Sequence, residues 1–98
     1  MTKKEQKIFD RLIGWECKPQ NKGFRYSIYA ALEILKDESL LNHITTKLYP
    51  LIAVRFEDTP SKVERAIRHI VCSSKLLNKE LDRPTNGAFL AYLYYTIK

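Results

Sequence analysis

TTKLYPLIAVRFEDTPSKVERAIRHIVCSS, running from Thr45 to Ser74, decides the fold of this chain. It reads as two short helices joined by a tight turn. Ala53 is a small residue mid-way along the first helix, where a second helix has to approach closely, and Phe56 ends the first apolar stripe. Glu57-Asp58-Thr59-Pro60 supplies the break. Thr59 can cap the second helix with Pro60 at its first position, where a missing N–H costs nothing. Ser61-Lys62-Val63-Glu64 also fits a capping box one register later, and both starts stay open. The second helix, about residues 59–74, sorts its side chains by face. Val63, Ala66, Ile67, Ile70 and Ser74 recur at three- and four-residue spacing. Ser61, Lys62, Arg65, Arg68, His69 and Cys72 fall on or near the other side, with Glu64 at the edge. Such a pattern is the sequence form of a helix-turn-helix, whose second helix enters the DNA major groove. A plain bundle helix shows the same two faces, so pattern alone leaves both readings standing.

Working outward, Lys3 to Trp15 reads as a helix with Ile8, Phe9, Leu12, Ile13 and Trp15 as its apolar stripe. Cys17 to Lys22 is a turn. Phe24 to Lys36 is a strong helix, with Ile28, Ala31, Leu32 and Leu35 on one face. Leu40 to His43 makes a single helical turn, and Thr45 or Thr46 caps the first motif helix, which runs to about Phe56. Pro50 inside that helix either kinks it or marks its true first turn. Leu76 to Leu81 makes a short helix, Thr85 or Asn86 is the next cap, and Gly87 to Ile97 is the closing helix. Its Phe89, Leu90, Tyr92, Leu93, Tyr94 and Tyr95 suit core packing or a dimer surface. The expected fold is all-α: a compact bundle of five to six helices, with Val63, Ile67, Ile70, Ala53 and Phe56 packed together at its heart.

Composition narrows the function. Ninety-eight residues make one domain that buries roughly 60–65% of its unfolded surface. Net charge is +6, and its placement is uneven. Residues 59–83 carry six basic and three acidic side chains, whereas residues 26–60 carry three and five. A basic domain with charge focused on a helix has the electrostatic footprint of a nucleic-acid binder. Cys17 and Cys72 are the only cysteines and sit in no CxxC, so no metal is expected. His43 and His69 lie on different helices, His69 in a basic stretch with no partnering carboxylate nearby in sequence, and no Gly-rich phosphate loop exists. The expectation is therefore no enzyme activity and no cofactor. The amino-terminal MTKKEQKIFDRL lacks an apolar signal core, and no window reaches membrane-span length, which points to the cytoplasm and to no membrane partner.

Three ordered segments carry a family resemblance: GFRYSIYAALEIL (Gly23–Leu35), LLNHITTKLYPLIAVRFEDTPSKVERAIRHIV (Leu40–Val71) and RPTNGAFLAYL (Arg83–Leu93). Together, from about Lys22 to Leu93, they resemble the DNA-binding effector domain of the stage zero sporulation protein A family of response regulators. VERAIRH, with the LYP of the helix before it, is the most specific part. The resemblance divides the chain into an N-terminal helix and turn, residues 1–21, and an effector-like region, residues 22–98. It implies double-stranded DNA as partner and assigns roles. Lys62, Glu64 and Arg65 meet base edges, Arg65 pairing bidentately with a guanine and Glu64 accepting from a cytosine amino group. Ser61, Arg68 and His69 hold phosphates, and Lys47 adds another phosphate contact. The family's target is a short box with a TGTCGAA-like core.

The chain also departs from the family. Where Lys62 stands the family typically has arginine, whose planar fork lysine cannot copy, so relaxed base preference is expected there. Lys75 to Asp82 looks shorter than the family's corresponding segment, which shapes the dimer contact. About 20 residues precede the match, too few for a receiver domain, so the expectation is binding without a phosphorylation switch in cis. Two partner readings go with this. The chain forms a homodimer on tandem half-sites, or it is a protein-interaction module that pairs with or titrates a full-length sporulation regulator.

Overall fold

The computed structural model describes residues 1–98, and it is helical throughout with no strand. Six α-helices follow in order: α1 (Lys3–Gly14), α2 (Lys22–Lys36), α3 (Tyr49–Arg55), α4 (Pro60–Ser73), α5 (Lys75–Leu81) and α6 (Asn86–Ile97). A 3₁₀ turn, Glu38–Asn42, and a wide π turn, Ile44–Leu48, link α2 to α3. The expected all-α bundle with a helix-turn-helix is what the chain forms, α3 and α4 being the motif's two helices.

Local chemistry sets most boundaries. Thr2 caps α1 by accepting from the Glu5 N–H at 3.1 Å. Of the two starts open for α4, the structure takes the first: Thr59 Oγ1 accepts from the Lys62 N–H at 3.2 Å, and Pro60 is the first helical residue. Ser74 ends α4 and caps α5 through the Leu77 N–H at 3.1 Å, while its own hydroxyl donates to the Trp15 carbonyl at 2.6 Å. Thr85, not Asn86, caps α6.

Three expectations need correction. Neither Thr45 nor Thr46 caps the first motif helix; the Lys47 and Leu48 N–H groups both bond the His43 carbonyl, in a widened turn that gives way to α3 at Tyr49. Pro50 is the reason: it lacks the N–H that would bond the Thr46 carbonyl, and its ring crowds that carbonyl. The buried face of α2 is rotated. Gly23, Phe24, Tyr26, Ser27, Ala30, Ala31 and Ile34 are buried, whereas Ile28, Leu32 and Leu35 are half-buried. In α1, Ile13 is exposed while Ile8, Leu12 and Trp15 are buried.

The core is one cluster with α2 at its centre, packed against α1, α3, α4 and α6. Val63, Ile67, Ile70 and Ala53 are buried there as expected, and Val71 joins them. Phe56 is half-buried, its ring against Tyr26 and Tyr29. Trp15 stacks on Tyr92 and meets the edge of Phe89. The closing helix is mostly core, since Phe89, Leu90, Leu93, Tyr94 and Ile97 are buried. No helix is long and apolar enough to cross a membrane.

Candidate nucleic-acid interface

The turn between α3 and α4 fixes how α4 is presented. Glu57 adopts the left-handed conformation at φ 54°, and the Asp58 N–H closes back on the Ala53 carbonyl at 2.9 Å. Asp58 then works in two directions. Its Oδ1 accepts from the Thr59 N–H at 2.9 Å, and its Oδ2 accepts from the Tyr26 hydroxyl at 2.5 Å. The turn is thereby tied to α2. The phenol's hydrogen bond and the Thr59 N–H hold the Asp58 carboxyl below its usual range. Burial first, then the Asp58 hydrogen bond and charge, push the Tyr26 phenol up to about 12.

From that anchored start, α4 turns Val63, Ile67, Ile70 and Val71 into the core. Ser61, Lys62, Arg65, Arg68, His69 and Cys72 are exposed, and Glu64 is half-buried. Six of the seven residues proposed from sequence thus lie together on one helix. Arg65 stands between two clefts. On one side Lys62 and His69 face the start of α2. On the other, Ser61, Glu64 and Arg68 face Thr45 and Tyr49. The seventh residue is apart: Lys47 borders a separate groove with Asp37, Leu51, Val54 and Arg55.

Charge on this face is unevenly satisfied. Arg68 pairs with Glu64 one helical turn away, and that partner holds its guanidinium above its ordinary value. Lys62 and Arg65 make no ion pair. An exposed, unpaired arginine presents five donors in a rigid fork suited to a guanine edge or a phosphate. The two thiols differ: burial pushes Cys17 up to about 11, an inert core thiol, while Cys72 is exposed on α4.

Two supports were invisible in the residue pattern. Asn86 donates to the Glu64 carbonyl at 2.9 Å and to the Tyr49 hydroxyl at 3.0 Å, joining α6 to both motif helices. Its place in the Pro84-Thr85-Asn86 segment was the only signal, and a cap was the obvious reading. The Tyr26–Asp58 bond spans 32 residues and left no local signature. At Gly23 an added Cβ would lie 2.1 Å from the Ala66 carbonyl oxygen, so α2 and α4 meet there more closely than any side chain allows.

A family model described as sporulation initiation factor Spo0A C terminal matches residues 8–97. The match reaches beyond the quoted segments at both ends, taking in most of α1 and the end of α6. It coincides with the helix-turn-helix, its threonine-capped second helix and the basic outward face. The chain belongs to the Spo0A C-terminal family, a DNA-binding rather than catalytic family of sporulation transcription regulators.

Proposed function

We propose that this protein reads a short duplex sequence by inserting α4 into the major groove, as a transcription regulator of the sporulation-effector type. Arg65 takes a guanine edge with two parallel hydrogen bonds, and Lys62 contacts a neighbouring base. Glu64 accepts from a cytosine amino group, which requires it to leave Arg68; Arg68 then turns to a phosphate. Ser61 and His69 hold phosphates on either side, and Lys47 adds a contact from the turn before α3. The observation that carries this reading is Arg65 itself: exposed, without an ion-pair partner, and bordering two clefts on a helix that buries Val63, Ile67, Ile70 and Val71 on its opposite side.

Selection from a random duplex pool tests it. Enrichment of one short box related to the TGTCGAA-like core is expected, and recovery of an unenriched pool would reject sequence reading. On tandem half-sites two copies meet through the outward part of α6, around Ala88 and Tyr95. Duplexes carrying one or two boxes test this, and equal per-site affinity would show independent monomers.

A second reading is a protein-interaction module for a full-length sporulation regulator. One observation favours it: Leu51 is 41% exposed and Val54 81% exposed in a groove beside α3. Co-elution with the full-length regulator in the absence of DNA, lost on Val54→Asp, is the expected outcome under this reading.

A further inference from the structure

Lys22 opens α2, an element outside the helix-turn-helix, and has no role in the reading above. Gly23 beside it packs so tightly on α4 that the Lys22 end of α2 is drawn against the exposed flank of that helix. Lys22, Lys62, Arg65 and His69 consequently border one open cleft of about 390 Å³, with Asn21 and Asp58 at its wall. Asp58 is the cleft's single acid, and both its oxygens are engaged by Tyr26 and the Thr59 N–H. Neither lysine nor Arg65 has an ion-pair partner. Three positive charges therefore converge on one space against one carboxylate. An anion entering the cleft meets net positive charge.

We propose that this cleft is a phosphate site for the DNA backbone, with Lys22 as a backbone contact supplied by α2. The proposal rests on α4 being the helix that enters the groove. A helix lying in the major groove has a sugar–phosphate strand along each side, so a cation on a flanking element meets phosphate rather than base edges. Lys22 then fixes the register of α4 on the duplex without reading sequence.

Lys22→Ala and Lys22→Gln, in the full chain, test this by titration against the selected box and a scrambled duplex across a salt series. Lys22 is exposed in the first turn of α2, where a positive charge opposes the helix dipole, so both variants are expected to fold and to melt at or slightly above the parent's temperature. Both are expected to lose affinity by the same factor on the two duplexes. The slope of log affinity against log salt becomes shallower by about 0.9, one phosphate's worth. Lys22→Arg restores the slope, and Lys36→Ala, remote on the same helix, leaves it unchanged. An unchanged slope in Lys22→Ala, with parent binding intact, overturns the site and leaves the reading of α4 standing. A loss confined to the selected box overturns the phosphate assignment. A parent protein without salt-dependent affinity for either duplex overturns both.

Discussion

Helices α4 and α6 begin alike and end in opposite roles. Each is opened by a threonine whose hydroxyl accepts from the N–H three residues on, Lys62 after Thr59 and Ala88 after Thr85. Beyond the cap they diverge. Along α4, Lys62, Glu64, Arg65, Arg68 and His69 keep one side in water, and only one stripe is buried. Along α6 there is no charged residue from Asn86 to Ile97; Phe89, Leu90, Leu93, Tyr94 and Ile97 form one broad buried stripe, and only Ala88 and Tyr95 are exposed. A helix whose outward side carries only an alanine and a tyrosine has no charge with which to meet DNA. A helix held by one stripe can offer the other, provided its ends are fixed by something else. In α4 that is done by the Tyr26–Asp58 tie at the start and by Asn78, whose amide donates to the Val71 and Ser74 carbonyls, at the finish.

The contrast is broken most severely in α6. Phe89→Ala removes a fully buried ring that meets Trp15 and should cost about 3–5 kcal/mol in denaturant unfolding. A cost near zero would mean that α6 is not the structural helix. Gly23→Ala comes next. Its Cβ would collide with the Ala66 carbonyl oxygen, forcing α2 and α4 apart at a cost of about 1–3 kcal/mol, with DNA affinity falling alongside.

On the exposed side of α4 the effects move from stability to binding. Arg65→Ala should leave unfolding within about 0.5 kcal/mol of the parent. It should cost about 1–3 kcal/mol on the selected box and flatten discrimination at one base pair. Arg68→Ala should instead weaken all duplexes alike and lower the salt slope by about one. Titrations in which the two variants behave identically on selected and random DNA would overturn that division of roles.

The smallest effect, and the sharpest for the turn, is the pH dependence of Tyr26→Phe. Tyr26 has its pKa raised on folding from 10.0 to about 12, so its contribution is full below pH 10.0 and is lost as pH rises toward 12. Asp58 has its pKa lowered from 3.8, so its contribution is present above that value and is lost as pH falls through the lowered one. The stability difference between parent and variant should be flat between those limits and shrink beyond both. A difference that stays constant at high and low pH would show that the phenol and carboxylate are not coupled.

Much of this was legible in the chain because it is local. The threonine caps, the proline at the start of α4 and the stripe of Val63, Ile67 and Ile70 are set within one or two turns of backbone. The family resemblance lay in the same segments. Less legible was anything requiring two distant pieces of chain. The apolar positions of α2 pointed to Ile28, Ala31, Leu32 and Leu35; Ala31 is buried, yet the rest of the deepest burial passes through Gly23, Ser27, Ala30 and Ile34. Ser27 is accommodated because its hydroxyl donates to the Gly23 carbonyl at 2.7 Å. The resemblance gives Lys47 a phosphate contact without saying where it sits; the widened turn before Pro50 sets it at a groove apart from the exposed face of α4.

By itself, then, the sequence determined that the chain folds as five to six helices, roughly where they lie, and which side of α4 is charged. Periodicity and capping act over a few residues, and side chains there choose between core and water almost independently of the rest. Only the tertiary structure decided which flank of α4 gains a second set of charges. A helix fixes the angular order of its own side chains but not which neighbour will cover them. The absence of a Cβ at Gly23 lets α2 close on α4, and that contact brings Lys22 beside Lys62 and His69, 40 and more residues away along the chain.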